Sequence, residues 1–510
     1  MKLFHTQGLL LCLLVGGCLS WQHQPAPLPP EVTEAGVRAR LLIPTQRGAE
    51  EGERILRAAF EPEPQSEPSV FTLADAVAYA RGHSPRLRSV RATLDGAKGQ
   101  EQVAFAAFLP EVGIASQSGA TSRNLGPGVP SVTGFLLSSG FATHSYAQGI
   151  LQLQWTVYDF GRRVARYHQA TARQRIAEYQ LNRADQTVQF DVAVAYLDIL
   201  VARASLLVQE DAIRQAEATL KDARSRFAGG VADPDDVLRA EVQLSESRDA
   251  FVRAQEARLV AIAQLNNVMG RNAALPIEIA ELGLPPLAPN LSLAKSLEIA
   301  AELRPEIQFA RQAVIQAQEG VAAAKAAFRP NIYVRGATGG VEGNNVLTGW
   351  QNGVGLHLEV PFYTGGRLSG DVHAAEAEVS AAVADAQVIM DRVSLEITQA
   401  FQAEVAAGQR LELSRTAVVE AQENLRLVRV KYRNGNATPT EIVDAETTLT
   451  RSQQRLKTAL YTYFATLARL DYAMGQPQGT ILQHAQLSKT TNEMVPVVRA
   501  PGPRPKVHHR

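Results

Sequence analysis

The sequence predicts a mostly α-helical chain with a smaller membrane-facing β part, built as a duplicated β-strand/long-helix repeat. Small and apolar residues recur at helical spacing in two stretches, residues 161–270 and 366–475, and a segment of apolar/polar alternation precedes each stretch. Apolar residues make up 45% of the chain but aromatic residues only 6%. That composition is typical of long alanine-rich helices rather than of bulky globular cores.

Residues 1–17 have the pattern of a secretory signal peptide. Lys2 precedes an apolar stretch from Gly8 to Val15, and two glycines then precede Cys18. We interpret Cys18 as the lipidated first residue of a mature lipoprotein; an ordinary signal peptide cleaved near the same place is the alternative. Leu19 rather than an aspartate follows the cysteine, which by resemblance to bacterial lipoproteins implies sorting to the outer membrane.

Two segments outside the repeats lack a helical or strand pattern. Residues 18–70 are rich in proline and charged residues, which indicates an extended, lipid-anchored strap. Residues 476–510 form a C-terminal tail, and its basic, proline-containing end from Val495 is expected to be disordered. The duplicated region between them consists of repeat 1, residues 71–275, and repeat 2, residues 290–475.

Both repeats open in the same way. Leu73 to Leu87 matches Leu293 to Ile307, 220 positions later (293 − 73 = 220). Each opening predicts a short helix, a proline break and a second helix of roughly 20 residues that ends before another proline. The offset falls to 205 further along (431 − 226 = 205), so repeat 1 holds additional residues. They fit a surface loop in the Gly/Ser/Pro-rich segment from Ser118 to Ser145.

Alternating residues before each long helix predict β-strands. The apolar members of the alternation are Leu151, Leu153, Trp155 and Val157 in repeat 1 and Val354, Leu356, Leu358, Val360 and Phe362 in repeat 2. This alternation is typical of a strand with one face in lipid and the other in water; a soluble sheet with one buried face is the alternative. Weaker partner strands are predicted near residues 111–122 and 331–341.

The long helices carry a seam of residues at steps of four and three. In repeat 1 the seam is Val188, Val192, Ala195, Ile199, Ala202, Leu206, Ile213, Ala216, Leu220 and Phe227, and in repeat 2 it is Val393, Ile397, Ala400, Glu404, Ala407, Leu411, Val418, Ala421, Leu425 and Tyr432. No proline interrupts either run, so each can form one helix of about 65 residues, roughly 100 Å long. Such spacing favours coiled-coil packing.

Each long helix reaches a turn that predicts a helical hairpin. Gly230 and Gly435 can adopt the left-handed conformation that ends a helix. Asp233 and Thr438 are predicted N-caps, and a proline follows each at the first helical position. A returning helix then runs to residue 270 in repeat 1 and to residue 475 in repeat 2.

The predicted elements require an oligomer if the strands cross a membrane. Four strands per chain cannot close a transmembrane barrel, for which about eight strands are the lower limit, and an open sheet edge cannot face lipid. Lys plus Arg and Asp plus Glu both number 51, so net charge predicts no nucleic-acid partner. Phosphate loops, nucleophile motifs and Cys/His clusters are missing from the sequence, so we expect no enzyme activity, cofactor or metal site.

Several motifs in fixed order resemble the TolC-type outer-membrane efflux proteins over roughly residues 70–475. They are the Ala-Ala-Phe-x-Pro before each first strand, the strand exits Tyr158 to Arg162 and Tyr363 to Arg367, and the Gly-x-Ala-x-Pro tips. The resemblance implies a homotrimer in the outer membrane, with one shared 12-stranded β-barrel continued by a coiled-coil α-helical tunnel in the periplasm. It also implies a passive duct that works with a periplasmic adaptor and an inner-membrane efflux pump.

The resemblance places a periplasmic gate at the hairpin tips. Glu441 and Asp444 match the positions of acidic rings that line the constriction in family members, although carboxylates in a first helical turn are also common as caps. Tyr432 matches a tyrosine that can bond an aspartate on the neighbouring tip, here Asp236; a packing role in the seam is the alternative. Ala437 stands where some members carry an arginine that braces the closed state.

The same resemblance assigns the adaptor contact to the turns of both hairpins. The residues are Gly229, Gly230, Val231, Gly435, Asn436 and Ala437. The rival function is a soluble periplasmic coiled-coil adaptor or scaffold, which would leave the signal peptide and the alternating strands unexplained.

Overall fold

The computed structural model describes residues 70–121, 144–230, 233–282, 291–343, 349–434 and 436–476. The predicted signal peptide, Cys18, the strap and the tail beyond residue 476 lie outside the described residues, as do Val231 and Gly435 of the tips. The described part of the chain forms eight helices and four strands.

The two repeats contain the same elements in the same order. Repeat 1 consists of α1 (Leu73–His83), α2 (Pro85–Ala106), β1 (Glu111–Thr121), β2 (His144–Tyr158), α3 (Arg162–Ala228) and α4 (Pro234–Met269). Repeat 2 consists of α5 (Leu293–Leu303), α6 (Pro305–Ala326), β3 (Asn331–Gly343), β4 (Gly349–Glu359), α7 (Arg367–Arg433) and α8 (Pro439–Met474). Corresponding helices have equal lengths of 11, 22, 67 and 36 residues, as the duplication predicted.

Local sequence explains where these helices begin. Thr72 caps α1 in a reciprocal capping box with Asp75, which satisfies two of the free N–H groups at the helix start. Pro85 and Pro305 occupy the first turns of α2 and α6, where a missing N–H has no cost. The long helices α3 and α7 follow left-handed glycines, Gly161 and Gly366.

Helix α3 is the central helix of the chain. On the strand side it packs between α2 and α6, and on the tip side it packs between α4 and α8. Helix α1 also packs against it. Apolar residues on several faces of α3 are therefore buried, among them Val192, Tyr196 and Leu200. The Tyr196 hydroxyl lies 2.5 Å from the carbonyl oxygen of Ala280, so this buried polar group is satisfied.

Helix α7 lies at one edge of the molecule and packs against α5, α6 and α8 of its own repeat. All ten predicted seam residues of α7 are buried, including the single acid Glu404. In α3 the seam prediction is wrong at Phe227, whose ring is 47% exposed. Phe227 lies in the last turn of α3, beyond the apolar cluster that α3 forms with α4, so no helix covers it.

The short helices α1 and α5 pack against the long helices near the returning ends of α4 and α8. Gly270 and Gly475 end α4 and α8 in the left-handed region, with φ of 81° and 74°. A Cβ at Gly270 would lie 2.7 Å from the carbonyl oxygen of His83, and one at Gly475 would lie 3.0 Å from that of Leu303. Both turns therefore require glycine for conformation and for space.

The strands form one antiparallel sheet in the order β1-β2-β3-β4. One prediction about its limits was wrong. Val360 and Phe362 follow the end of β4 and are exposed, because Pro361 has no N–H for the ladder. The segment from Ser118 to Ser145, where the additional residues of repeat 1 are predicted, overlaps the end of β1 and the start of β2, and residues 122–143 lie outside the described residues. None of the described helices is both long and apolar enough to cross a bilayer.

Candidate functional site

The sheet has one apolar and one polar face, which follow from the strand register. Val112 lies opposite Leu153, Leu153 opposite Gly336, and Gly336 opposite Val354, so these positions share one face. The large side chains on this face are exposed to between 41% and 83% of their area: Val112, Ile114, Leu151, Trp155, Trp350, Val354, Leu356 and Leu358. A contiguous apolar surface of this kind is typical of a membrane or protein contact.

The other face of the sheet is polar. Glu111 lies opposite Gln154, and Gln154 lies opposite Arg335. The Arg335 Nη2 donates to Gln154 Oε1 at 3.4 Å, and its guanidinium lies 5.3 Å from the centre of the Tyr333 ring. Tyr333 in turn stacks on His357 of β4 with ring centres 5.1 Å apart. This face can therefore contact water or polar solutes.

In the described part of the chain, the two edge strands of the sheet and the outer helices of the two hairpins each lack a partner on one side. Among the described strands, β1 and β4 each have one partner, so each leaves a row of backbone groups unpaired. Strand β1 follows α2 along the chain, and β4 precedes α7. Each edge strand is therefore connected to a helix at the same edge of the molecule. The far side of α7 carries exposed Val388, Leu395, Leu413 and Leu427, whose spacings are close to whole numbers of helical turns. The far side of α4 carries exposed Leu238, Val242, Val252 and Leu259.

At the first tip, α3 ends at Ala228 and the chain turns through Gly229 and Gly230, the latter with φ of 71°. Helix α4 then starts behind Asp233, whose side chain makes no capping bond. Asp236 lies half-buried in the first turn of α4. Gly230 thus has the predicted left-handed conformation.

At the second tip, the predicted gate residue Glu441 has a local role. Its Oε2 accepts a hydrogen bond from the Thr438 N–H at 2.7 Å, while the Thr438 hydroxyl accepts one from the Glu441 N–H at 3.3 Å. This capping box explains how α8 starts and holds the Glu441 carboxylate at the tip. Asp444 lies one turn further on and is exposed, as is Asn436, while Ala437 is half-buried.

Tyr432 joins the two tips through an arginine that the sequence did not single out. The Tyr432 ring is 8% exposed, and the Arg226 guanidinium of α3 lies 4.1 Å from its centre. Arg226 Nη1 also donates to the Tyr432 carbonyl oxygen at 3.3 Å. Within the described residues no hydrogen bond joins Tyr432 to Asp236, and the contact of Tyr432 inside one chain is with Arg226.

A second contact between the hairpins was also missed. Glu446 of α8 is 4% exposed and accepts hydrogen bonds from the Thr219 hydroxyl of α3 at 3.0 Å and from Arg429 Nη2 at 3.0 Å. The matching pair of hairpin 1, Arg224 and Glu241, is exposed and 2.7 Å apart. The arginine and the glutamate recur at matching positions of both repeats, which indicates a contact within each hairpin. That repetition does not indicate the hydrogen bond between Glu446 and Thr219.

The sequence is similar to those of known outer-membrane proteins. Residues 77–271 and 297–476 match the model of the family described as outer membrane efflux protein. TolC of Escherichia coli K12 is 26% identical over 414 residues, which cover 78% of this chain and 80% of that protein. SepC of Pseudomonas putida F1, described as a probable efflux pump outer membrane protein, is 24% identical over 92% of this chain and 96% of its own.

Solved structures share the fold. VceC of Vibrio cholerae superposes with a TM-score of 0.67 at 23% identity, over 79% of this chain and 96% of that one. The outer-membrane channel OprN superposes with a TM-score of 0.69 at 17% identity, over 81% and 94%. The duplicated arrangement of sheet and long helices is therefore the fold of these two outer-membrane proteins.

Proposed function

Because the chain belongs to the outer membrane efflux protein family, we propose that it is the outer-membrane channel of a tripartite efflux system. In this function it is a passive trimeric duct that conducts small molecules or ions from a pump and adaptor complex across the periplasm and the outer membrane. The observation that carries the proposal is the sheet, which has one exposed apolar face, one polar face and two open edges. A soluble adaptor would leave the apolar face in water.

Three copies satisfy the open edges. Four strands from each of three chains give a 12-stranded barrel, which exceeds the lower limit of about eight strands and removes every edge from lipid. The same closure brings the far side of α7 in one copy against α4 of the next, so their exposed apolar residues become covered. Burial of one such side chain contributes about 1.5–3 kcal/mol, which favours this arrangement over an isolated chain.

The partners follow from the proposed orientation. With the apolar face of the sheet in the outer membrane and Cys18 as a lipid anchor, the hairpin tips point into the periplasm towards an adaptor and an inner-membrane pump. The exposed turns of the two tips, including Gly229, Gly230 and Asn436, are the surface proposed for adaptor contact.

The proposed gate consists of carboxylates at the second tip. Three-fold symmetry turns Asp444 and Glu441 into two rings of three, and rings of carboxylates favour cations. Arg226 on Tyr432 and the Thr219–Glu446 bond tie the two hairpins of one copy together near these rings. Separation of the hairpins would have to break both contacts, so they are candidates for holding the closed state.

Assembly tests the trimer. We expect Leu413→Asp to reduce the mass of the detergent-solubilised particle from that of three chains to one, because the charge would have to be buried between copies. Gln422→Asp, at an exposed position on another side of α7, is the matched control and should remain trimeric. Light scattering with correction for detergent measures the mass. A Leu413→Asp trimer would contradict the proposed contact.

Conductance tests the channel and its gate. The purified protein should form cation-preferring pores in a planar bilayer, and Asp444→Asn and Glu441→Gln should each reduce that preference. Glutamine at position 441 preserves the capping box, so a lost charge is separated from a lost cap. Asp235→Asn at the first tip is the control. Failure of the native protein to conduct, together with a water-soluble monomer, would contradict the channel.

A further inference from the structure

A cavity of about 280 Å³ lies at the neck, where the helices meet the sheet. We define the neck as the junctions of α2 with β1, β2 with α3, and α6 with β3. Arg162, Arg166 and Arg329 line this cavity together with Glu111 and Gln154. Because Glu111 and Gln154 belong to the polar face of the sheet, the cavity opens on that face. Its size is close to the lower end of the range for small-molecule sites, ~300–1,000 Å³.

One arginine at the neck has a structural role. Arg163 pairs with Asp159 through Nε and Oδ2 at 3.1 Å, and both side chains are largely buried. Arg163 also donates to the carbonyl oxygens of Thr156 at 2.6 Å and of Ala107 at 3.2 Å. These bonds join the end of β2 to the end of α2. The hydrogen bonds of the Asp159 side chain go to Arg163, so its charge offsets that of Arg166 only in part.

The remaining three arginines have no such partners. Within the described residues, no ion pair or side-chain hydrogen bond engages the guanidinium groups of Arg162, Arg166 or Arg329, and Glu111 is the remaining carboxylate of the cavity lining. Arg162 is the first residue of α3, whose first turn contains no acid, so its charge adds to the positive end of the helix dipole. Burial lowers the pKa of Arg166 and the charge of Arg162 lowers it further, while the charge of Asp159 raises it.

The matching positions of repeat 2 lack this excess of positive charge. Arg367 corresponds to Arg162, and it pairs with Asp371, which replaces Arg166, at 3.2 Å. Leu109 of repeat 1 stands where repeat 2 has Arg329. The three free arginines are thus not a by-product of the duplication. Their like charges converge at a cost, which an anionic ligand would offset.

We propose that the neck cavity is a binding site for small oxyanions, such as phosphate- or carboxylate-bearing solutes. Arg162, Arg166 and Arg329 are the residues that bind the anion. Guanidinium groups bind oxyanions through paired, charge-assisted hydrogen bonds. The identification of the oxyanion as a solute passing through the duct rests on the proposed function, in which the polar face of the sheet lines the duct. A lipid phosphate has the same chemistry, but the cavity opens away from the apolar face.

Calorimetry with inorganic pyrophosphate tests the site directly. The full chain in an uncharged detergent at low ionic strength should bind one pyrophosphate per chain. Arg162→Gln/Arg166→Gln should weaken binding at least about 10-fold, because each arginine supplies a charge-assisted contact. Arg329→Gln, in the exposed turn between α6 and β3, is a second variant that leaves the helices unchanged. Arg367→Gln is the matched control and should bind as the native chain does.

The outcomes separate the possible ligands and the two proposals. No binding to the native chain, or equal binding by all variants, overturns the site. Native mass spectrometry that finds an anionic phospholipid retained by the native chain and lost from the Arg162→Gln/Arg166→Gln variant overturns the choice of a solute. Calorimetry needs no bilayer, so a channel that fails to conduct contradicts the proposed function without affecting the binding result.

Discussion

Helices α3 and α7 have the same length and the same seam, yet their surroundings differ. Helix α3 contacts α1, α2 and α4 of its own repeat and α6 and α8 of the other, whereas α7 contacts α5, α6 and α8 of its own. As a result, α3 buries 20 residues and α7 buries 11. Ile199 of α3 is matched by Glu404 of α7, and both are buried.

Duplication supplies two hairpins of equal length, and their different packing gives them different roles. Helix α3 joins the repeats into one unit, so substitutions there should affect the whole chain. Helix α7 has one buried seam and an exposed far side, so it can tolerate a polar residue such as Glu404 and can contact another copy.

The largest effect is expected from a charge in the centre of α3. Ile199 is 3% exposed and lies in the main apolar cluster. Ile199→Glu should destabilise the chain by more than about 4 kcal/mol, because it buries a carboxylate without a partner. Ile199→Val is the control and should cost about 0.5–1.5 kcal/mol. Thermal unfolding followed by circular dichroism measures both, and a glutamate variant as stable as the valine variant would refute the central role of α3.

The two tips should differ next. Tyr432 is buried against Arg226, whereas Phe227 at the matching position is 47% exposed. Tyr432→Ala should cost about 3 kcal/mol, as expected for a buried aromatic residue, and Phe227→Ala about 1 kcal/mol or less. Tyr432→Phe keeps the ring and should behave like the native chain. The same unfolding experiment measures these changes; equal losses for both alanine variants would show that the tips are equivalent.

Glu446 and Glu241, at matching positions of the two repeats, should also differ, because the contact between the hairpins involves Glu446. Glu446→Ala should cost about 2 kcal/mol, since it removes bonds from Thr219 and Arg429 to a buried carboxylate. Glu241→Ala removes an exposed ion pair and should cost less than about 1 kcal/mol. Amide hydrogen exchange near Thr219 should accelerate only in the Glu446 variant. Acceleration in both variants would mean that the buried contact does not hold the hairpins together.

Much of the fold could be predicted from sequence because its determinants are local and repeated. The prolines and glycines fixed helix limits to within a few residues, and all ten seam residues of α7 are buried. The failure at Phe227 has a tertiary cause: the seam pattern indicates a face, but not how far the partner helix covers it. The prediction that Val360 lies in a strand was wrong, because the apolar/polar alternation continues in the sequence beyond the end of β4, where Pro361 lacks the N–H for the ladder.

The candidate sites were less predictable. Spacing within one hairpin indicates contacts such as that of Arg429 with Glu446, which lie 17 positions apart. Thr219 lies 227 positions from Glu446, and no pattern in a single sequence links them. The neck arginines are similar, since Arg162 and Arg329 come from different repeats and meet only when α6 packs beside α3.

The smallest expected effect is the pH dependence of the α7 seam. Burial alone raises the pKa of Glu404 above its ordinary value of 4.5. The folded chain therefore binds more protons than the unfolded chain between 4.5 and the raised pKa, so the contribution of Glu404 to stability is highest below pH 4.5 and falls as the pH rises through that window.

Glu404→Gln should remove this dependence, so the difference in melting temperature between the variant and the native chain should grow from pH 4 to pH 7. Asp191 and Asp198 of α3 also have raised pKa values through burial, and they are unchanged in both proteins, so their contributions cancel in that difference. A difference that stays constant with pH would show that the Glu404 carboxylate is hydrated in solution. In that case water would reach the seam of α7 at Glu404. The matching positions Ile199 and Glu404 would then differ in their contact with water, and Glu404 would not be a buried charge.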